Sequence, residues 1–569
     1  MKIDPITLEV VENALASAAD EMALVVMRSA YSPVVRDSMD YSTALCDRTG
    51  QVVAQGLTLA VQLGTFPTIM RHIVEAHAPG ARPGDIFVSN DPYGAGGQHL
   101  PDIYVIKPVF VDGVLEGYAA TMAHHSDVGG LTPGSVAVHA TEIYQEGLRL
   151  PILKLYEEGV PNHTLFEILA TNTRLPTEVL GDVRAQVAAC SIGERGLERV
   201  IRKYGAEPAR AYMTRLQDVA EGLMRGAIAA IPDGTYAFED HIDGYGDDPK
   251  PMTIGVEVRI EGDGLTIDLD APAQVAAGLN CPVGLVFAAC YCAVRQVVEL
   301  SIPNCEGYMR PIEIRAPEGT IVNPVLPAAC GARGVVGYRV FDAVMGALAK
   351  AVPGQVIAAG EGGPTLISIG GSTGDRRYVL TEVLVSTWGA RMDQDGAEGI
   401  SNPLANLSNQ PIELVESDFP LEIASYGLIP DSGGPGRHRG GLAAVREYRL
   451  LDGRASMTLR SDRRNHPPYG FAGGGAGAPS DNVINPGAEG EYRLPPMPML
   501  SVPLAPGDLF HHASAGGGGV GDPFTRDPRA VLEDVLDGKV STAAARDAYG
   551  VVVDGEALDL EATERLRRG

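Results

Sequence analysis

The sequence predicts an α+β protein. A helical, hairpin-rich N-terminal region carrying a candidate metal site is followed by a largely antiparallel β-rich domain with buried helices. Three observations predict this. Apolar residues recur at spacings of three and four over much of 5–231. After Pro232-Asp233-Gly234 the period changes to two. Gly-rich turns then punctuate the second half. The expected division is a metal-site region over 1–231, a β-rich domain over 232–525 and a short helical tail over 526–569.

The elements follow in order. Asp4-Pro5 reads as an N-cap with proline at the first helical position. Leu8, Val11, Leu15, Ala18, Met22 and Val25 then form the apolar stripe of a helix to about residue 29. Asp40 opens a hairpin whose turn ends near Gly50, and a second helix is expected over 67–78. The runs 103–111 and 114–122 flank Asp112-Gly113, a strong two-residue hairpin signal. Residues 165–204 and 208–231 read as mostly helical, with Val179, Val183, Val187 and Cys190 as the buried stripe of the first segment. Ile254, Val256, Val258 and Ile260 alternate before Gly262-Asp263-Gly264 turns the chain into Leu265, Ile267 and Leu269. The runs 283–300 and 340–351 are apolar on most sides and are expected as buried helices. Further strands are expected at 311–315, at 377–386 and on either side of Asp452-Gly453. Two short helices close the chain, the first starting at Asp527-Pro528 and the second capped by Ser541.

Composition excludes several classes of function. With 45 basic and 72 acidic residues the net charge is −27, which opposes nucleic acid and anionic membranes. Seven cysteines without a CxxC pair give neither a disulfide framework nor a thiolate zinc site. The N-terminus lacks a signal pattern, and the longest apolar run is too short to cross a bilayer, so a cytoplasmic location is expected. Glycine, at 69 of 569 residues, exceeds the usual share of about 7%, and points to tight turns or close backbone contacts.

The strongest candidate chemistry lies in His99-Leu100-Pro101-Asp102 and His124-His125-Ser126-Asp127. A hairpin closed by Asp112-Gly113 places His124 opposite Pro101, with His99 diagonal to it on the same face. Two imidazoles so placed can meet on one metal ion. On a regular strand Asp102 faces away, unless Pro101 kinks the chain. Asp40 is therefore slightly preferred as the carboxylate, and Asp102 stays open. Two histidines with one or two carboxylates suit a catalytic Zn, Mn or Fe site. A pair of satisfied core histidines is the other reading of the same residues.

Other motifs are weaker. Gly370-Gly371-Ser372-Thr373-Gly374 matches G-x-S-x-G, but a strand rather than a helix is expected after it, so a hairpin turn is favoured over a nucleophile elbow. No G-x-x-x-x-G-K-[ST] phosphate loop occurs.

Nearly the whole chain resembles the hydantoinase B family. The likeness runs from DPITLEVVENAL and RSAYSPVVRDSMDYS through SNDPYGAGGQHLPD, AHHSDVGG and RPIEIRAPEGTIVNP to DSGGPGRHRGGL and GGGGVGDPFTRDPRAVLEDV. The loop NDPYGAGGQH is one residue longer than the usual family loop and carries Gln98 in place of threonine. Val520 stands where an aromatic is usual.

The resemblance implies one divalent ion, Zn or Mn, held by Asp40, His99, Asp102 and His124. It implies catalytic work for His99, Asp102 and His124, with His125, Asp127, Asn90 and Asp91 supporting them. It also implies an A-type partner that binds ATP and phosphorylates the substrate carbonyl, in a heterotetramer or larger assembly. The implied reaction is attack by metal-activated water on that carbonyl, opening a hydantoin, 5-oxoproline or related lactam. Two alternatives remain at this stage: an alpha-type subunit of a biotin-independent ATP-dependent ketone carboxylase, and a non-catalytic scaffold.

Overall fold

The computed structural model describes residues 3–298 and 301–568. It is a mixed α+β structure built on antiparallel sheets, as expected.

The first helix, Pro5–Ser29, starts where Asp4 caps it, its carboxylate accepting from the Thr7 amide at 2.9 Å. Strands β1 (Tyr41–Asp47), β2 (Val52–Gln55), β3 (Ile86–Ser89), β4 (Asp102–Val111), β5 (Val114–His124), β6 (Leu153–Glu157) and β7 (Val160–Pro161) form one sheet in the order β2-β1-β5-β4-β3-β6-β7. Alternation along β4 divides its side chains between two cores. Ile103, Val105 and Val109 pack with helices Pro5–Ser29 and Pro176–Tyr204. Tyr104 and Ile106 pack with Phe66, Ile69, Met70 and Ile73 of the helix Phe66–Ala76. The sheet is thus covered on both faces, which explains why β4 and β5 are almost wholly buried.

A second sheet holds β8 (Gly234–Ile242), β9 (Met252–Glu261), β10 (Gly264–Asp270) and β11 (Ile312–Arg315), in the order β11-β10-β9-β8, with β11 parallel to β10. The apolar helices expected over 283–300 and 340–351 run Val283–Gln296 and Gly334–Leu348 and belong to the core against this sheet. Leu300, the expected end of the first, lies outside the described residues. The second begins six residues earlier than expected, because Gly334 and Gly337 are tolerated in a helix whose every residue is buried.

Two further sheets face each other. One orders β12 (Thr365–Thr373), β13 (Arg376–Leu384), β16 (Arg454–Arg460) and β19 (Val502–Leu504) as β13-β12-β16-β19. The other orders β14 (Leu421–Leu428), β15 (Ala444–Leu450), β17 (Asp481–Ile484), β18 (Tyr492–Arg493) and β20 (Leu509–Ala513) as β14-β15-β20-β17-β18. Ile367, Ile369, Leu380, Tyr448, Leu450 and Phe510 fill the space between them. The strands on either side of Asp452-Gly453 lie in different sheets, so this turn is a crossing point. Ser372 is on β12, paired with Arg377 of β13; the G-x-S-x-G run is a hairpin and not a nucleophile elbow.

Three glycine-rich runs, 431–441, 471–477 and 514–523, converge on one another. The Gly434 amide donates to the Gly517 carbonyl at 2.8 Å, and that of Gly519 to Gly475 at 2.9 Å. A Cβ at Gly440 would lie 1.9 Å from the Gly517 oxygen, so these glycines serve close backbone packing. Asp527 and Ser541 cap the two tail helices as expected, Pro528–Leu536 and Thr542–Tyr549. A strand pair and a last helix, Leu560–Arg568, follow them.

Candidate metal centre

The β4–β5 hairpin sets the site. Its loop is the expected one: Val111 pairs with Val114, and Asp112 and Gly113 both take positive φ, 51° and 80°. The register beyond it is not the expected one. Phe110 pairs with Leu115 but Val109 pairs with Gly117, so Glu116 bulges out of the ladder. Glu116 is buried, and Arg210 Nε donates to its carboxylate at 2.7 Å. This single bulge slips the register by one residue. His124 therefore lies opposite Asp102 and not opposite Pro101, and the two side chains share a face. The expectation that Asp102 points away is corrected by that slip.

His99 is not on the strand. It sits in the turn before it, where the Asp102 amide donates to the His99 carbonyl at 3.1 Å. The turn brings the imidazole back over the strand end, with His99 Nε2 3.3 Å from Asp102 Oδ1. The His99 and His124 ring centroids are 5.0 Å apart.

These three residues offer one nitrogen, one oxygen and one nitrogen within 4.8 Å of one another. That spacing is close to twice the metal–ligand bond of about 2.1 Å. All three side chains are buried: His99 is 1% exposed, Asp102 0% and His124 3%. Both ring nitrogens of each histidine and Asp102 Oδ1 have no hydrogen-bond partner. Buried polar atoms are ordinarily satisfied, so unsatisfied groups on three residues that bring one ligand atom each to a common point fit a bound cation. The donor set suits Zn, Mn or Fe.

The protonation states agree with that fit. Burial, and then the charge of Arg333, lower His99 to about 4. Burial and the neighbouring His99 push His124 well below its usual value. Both rings are therefore neutral near pH 7 and have lone pairs to give. Burial opposes ionisation of Asp102, but the imidazoles and the Arg333 guanidinium overcome it and hold it well below the usual carboxylate range. Arg333 Nη2 donates to Asp102 Oδ2, leaving Oδ1 to the triad, and also to Gln98 Oε1 at 3.1 Å.

Asp40 stands apart from this cluster but on the same cavity. Gln62 Nε2 donates to its Oδ1, and its own backbone carbonyl accepts from the His124 amide at 3.0 Å. Burial, with Asp102 nearby, pushes its carboxyl up to about 7. The cavity has a volume of about 40 Å³ and is lined by Asp40, Gln62, His99, His124, Arg333, Gly334, Tyr338 and Arg460, with Leu59, Val61 and Leu285 on its apolar side.

The four flanking residues lie elsewhere. His125 Nε2 meets Gln186 Oε1 at 3.1 Å on the opposite face of the sheet, as a residue next to His124 must. Asp127 pairs with Arg174 at 2.8 Å and caps a loop through the Gly129 and Gly134 amides. Asn90 Oδ1 accepts from the Leu150 amide, and its Nδ2 donates to the Leu100 carbonyl, fixing the loop that delivers His99. Asp91 accepts from the Tyr93 amide at 3.0 Å.

Sequence reasoning missed Arg333, Gln62, Tyr338 and Arg460. No local spacing marks them, since each reaches the cavity from a distant part of the chain. The one available signal was an arginine ahead of an apolar helix, in Arg333-Gly334-Val335.

Residues 4–523 match the family model described as Hydantoinase B/oxoprolinase. The chain belongs to this family. A relative from Pseudomonas sp. (strain NS671), provisionally named as the B-type component of a D-/L-hydantoinase, is 36% identical over 100% of this chain and 98% of its own. The crystal structure of ATP-dependent caprolactamase from Pseudomonas jessenii superposes with a TM-score of 0.93 at 31% identity, covering 100% of both chains. The nucleotide-free structure of acetone carboxylase covers 99% of this chain and 82% of its own at a TM-score of 0.92. At 20% identity that likeness concerns the fold alone. Among the described residues no helix of this family member is long and apolar enough to cross a membrane.

Proposed function

We propose that this chain is the metal-bearing subunit of an ATP-dependent cyclic amide hydrolase. It would act on a hydantoin, 5-oxoproline or related lactam whose carbonyl an A-type partner subunit has phosphorylated. The observation that supports this reading best is the buried triad of His99, Asp102 and His124, which brings together three ligand atoms, one from each residue. The names of the relatives, a B-type hydantoinase component and an ATP-dependent caprolactamase, point to the same chemistry and to a second subunit.

His99, Asp102 and His124 would hold the ion, with Asp40 on the same cavity as the fourth candidate ligand. When bound, a divalent ion there lowers the pKa of water and polarises a carbonyl oxygen. The chain's own part is to keep both imidazoles unprotonated by burial and Asp102 ionised through Arg333. Leu59, Val61 and Leu285 wall the cavity with apolar surface, which limits competing water. Ring opening consumes one water and cleaves the ring C–N bond, and ATP yields ADP and phosphate.

The test is purification with the neighbouring subunit and an ATP-dependent assay across hydantoins, 5-oxoproline and caprolactam. Ring opening that disappears in His99→Ala together with the bound metal is expected. Wild-type rates in a metal-free His99→Ala complex would sink the reading. The shared fold with acetone carboxylase keeps one rival in view. Bicarbonate-dependent carbon incorporation into a ketone, without lactam opening, would favour that rival.

A further inference from the structure

Arg460, on β16, is the outlier among the buried arginines. Arg333, Arg339, Arg439, Arg446, Arg463 and Arg526 are buried as well, and each forms an ion pair with at least one carboxylate. Arg460 is 6% exposed. Among the described residues no carboxylate forms an ion pair with it, and Asp40, on the same cavity, and Asp102 act on it only through space. Its guanidinium donates to the Pro364 carbonyl at 3.3 Å and otherwise faces the cavity. A buried cation without a counter-ion is costly, and folds rarely retain one unless something else supplies the charge.

The surroundings are arranged for an anion. The helix Gly334–Leu348 is 15 residues long and begins on the cavity wall, so its positive dipole end meets the same space. Gly334 itself makes room for Arg460: a Cβ there would lie 2.8 Å from Arg460 Nη1. Among the described residues the other guanidinium on the cavity, Arg333, is already engaged by Asp102.

We propose that Arg460 and the amino end of the Gly334–Leu348 helix form an anion subsite beside the triad, which binds the phosphoryl group of the O-phosphorylated cyclic amide. This rests on the function proposed above and gives it a recognition element. An unactivated lactam leaves Arg460 unpaired; the phosphorylated one supplies the missing counter-ion. Ring opening is thereby tied to prior use of ATP, because the centre holds only substrate that already carries phosphate. Arg460 is a binding residue in this scheme and transfers no proton.

The experiment is a titration of inorganic phosphate onto the full-length, metal-loaded chain, followed by calorimetry and by the phosphorus NMR line. Saturable binding to the wild type is expected, weakened at least tenfold in Arg460→Met and less in Arg460→Lys. Thermal melting of the phosphate-free chains separates binding from a structural role. A counter-ion-free arginine replaced by methionine should leave the melting temperature unchanged or raise it, whereas a structural arginine would lower it. No saturable phosphate binding to the wild type overturns the subsite. So does a folded Arg460→Met chain that binds phosphate as the wild type does. If Arg460→Met fails to fold, the structural role is upheld and the subsite falls, unless folded Arg460→Lys shows weakened phosphate binding. Lactam opening in a complex whose phosphate binding ignores Arg460 removes the subsite and leaves the function. Phosphate held by Arg460 in a complex that opens no cyclic amide removes the function and the substrate class together.

Discussion

Two clusters of buried charge in this molecule look alike in composition and differ in closure. The first is the cavity of His99, Asp102, His124, Asp40, Arg333 and Arg460. The second comprises Asp240, Asp342 and Asp462 with Arg339 and Arg463. In the second, Arg339 reaches all three carboxylates, and Arg463 grips both oxygens of Asp240, at 3.0 and 2.9 Å, as well as Asp342 at 2.6 Å. The Asp243 amide donates to Asp462 at 2.9 Å and the His241 amide to Asp240 at 2.8 Å. Only the guanidinium Nε atoms in that network lack partners. It joins β8, the helix Gly334–Leu348 and the segment after β16, and its partners are all within the chain. In the first cluster three ligand atoms face one another, and one cation, Arg460, forms no ion pair among the described residues. The difference teaches that burial of charge alone does not mark a functional site; incomplete satisfaction does.

Substitutions should separate the two clusters. The largest effect is expected for His124→Ala in the assembled enzyme. Ring opening should fall at least about 10³-fold, roughly 4 kcal/mol of transition-state stabilisation. Metal content, measured by elemental analysis, should fall with it while the fold persists. Retained metal would show that the triad is merely a packed histidine pair.

Asp342→Ala should do the reverse. It leaves Arg339 and Arg463 each short of a partner, and breaking a buried pair costs about 3–5 kcal/mol. Denaturant unfolding should show that loss, with activity per folded molecule unchanged. A loss below about 1 kcal/mol would deny the network its structural role.

Removing metal by chelation should lower the stability of the wild type by about 2.7 kcal/mol relative to metal at a hundredfold excess over its Kd. His99→Ala should show no such difference on chelation. An equal shift in both would place the ion elsewhere.

The smallest effect is a pH slope. Burial, against the opposing charge of Arg339, pushes Asp342 up to about 8. A carboxyl whose folded value is raised holds its proton better in the folded state. Its contribution is therefore complete below the unfolded value of about 4 and is lost as pH rises toward about 8. The melting temperature should decline between about pH 4 and 8, and Asp342→Asn should flatten that decline. An unchanged slope would assign the titration to another group.

How much of the site was legible in the sequence varies by residue. His99 and His124 were legible as residues at one end of a hairpin, but the turn did not fix how they meet, since His124 pairs with Asp102 and His99 lies in the turn before the strand. Asp102 was legible as a candidate, but the face it takes differs from that of a regular ladder because Glu116 bulges. A bulge is held by a distant arginine, Arg210, and has no signature within the strand itself. Asp40 was ranked above Asp102 for the same reason. Arg333 and Arg460 were not legible, since they arrive from elements far away in sequence. Among the elements, the capped helices and alternating hairpins were found nearly to the residue. The helix Gly334–Leu348 was started late because its first turns contain two glycines, which sequence reasoning counts against helix and burial permits.

The sequence by itself determined the class of fold, the two-residue hairpin turn, the paired histidines and the family. Each of these depends on spacing along the chain, on local turn chemistry or on motifs within one segment. The tertiary structure alone decided the register of β4 against β5, and through it the carboxylate that faces His124. It also decided which buried arginines find partners and which one does not. These depend on contacts between distant segments, where a one-residue slip or a single missing carboxylate changes the chemistry without changing any local pattern.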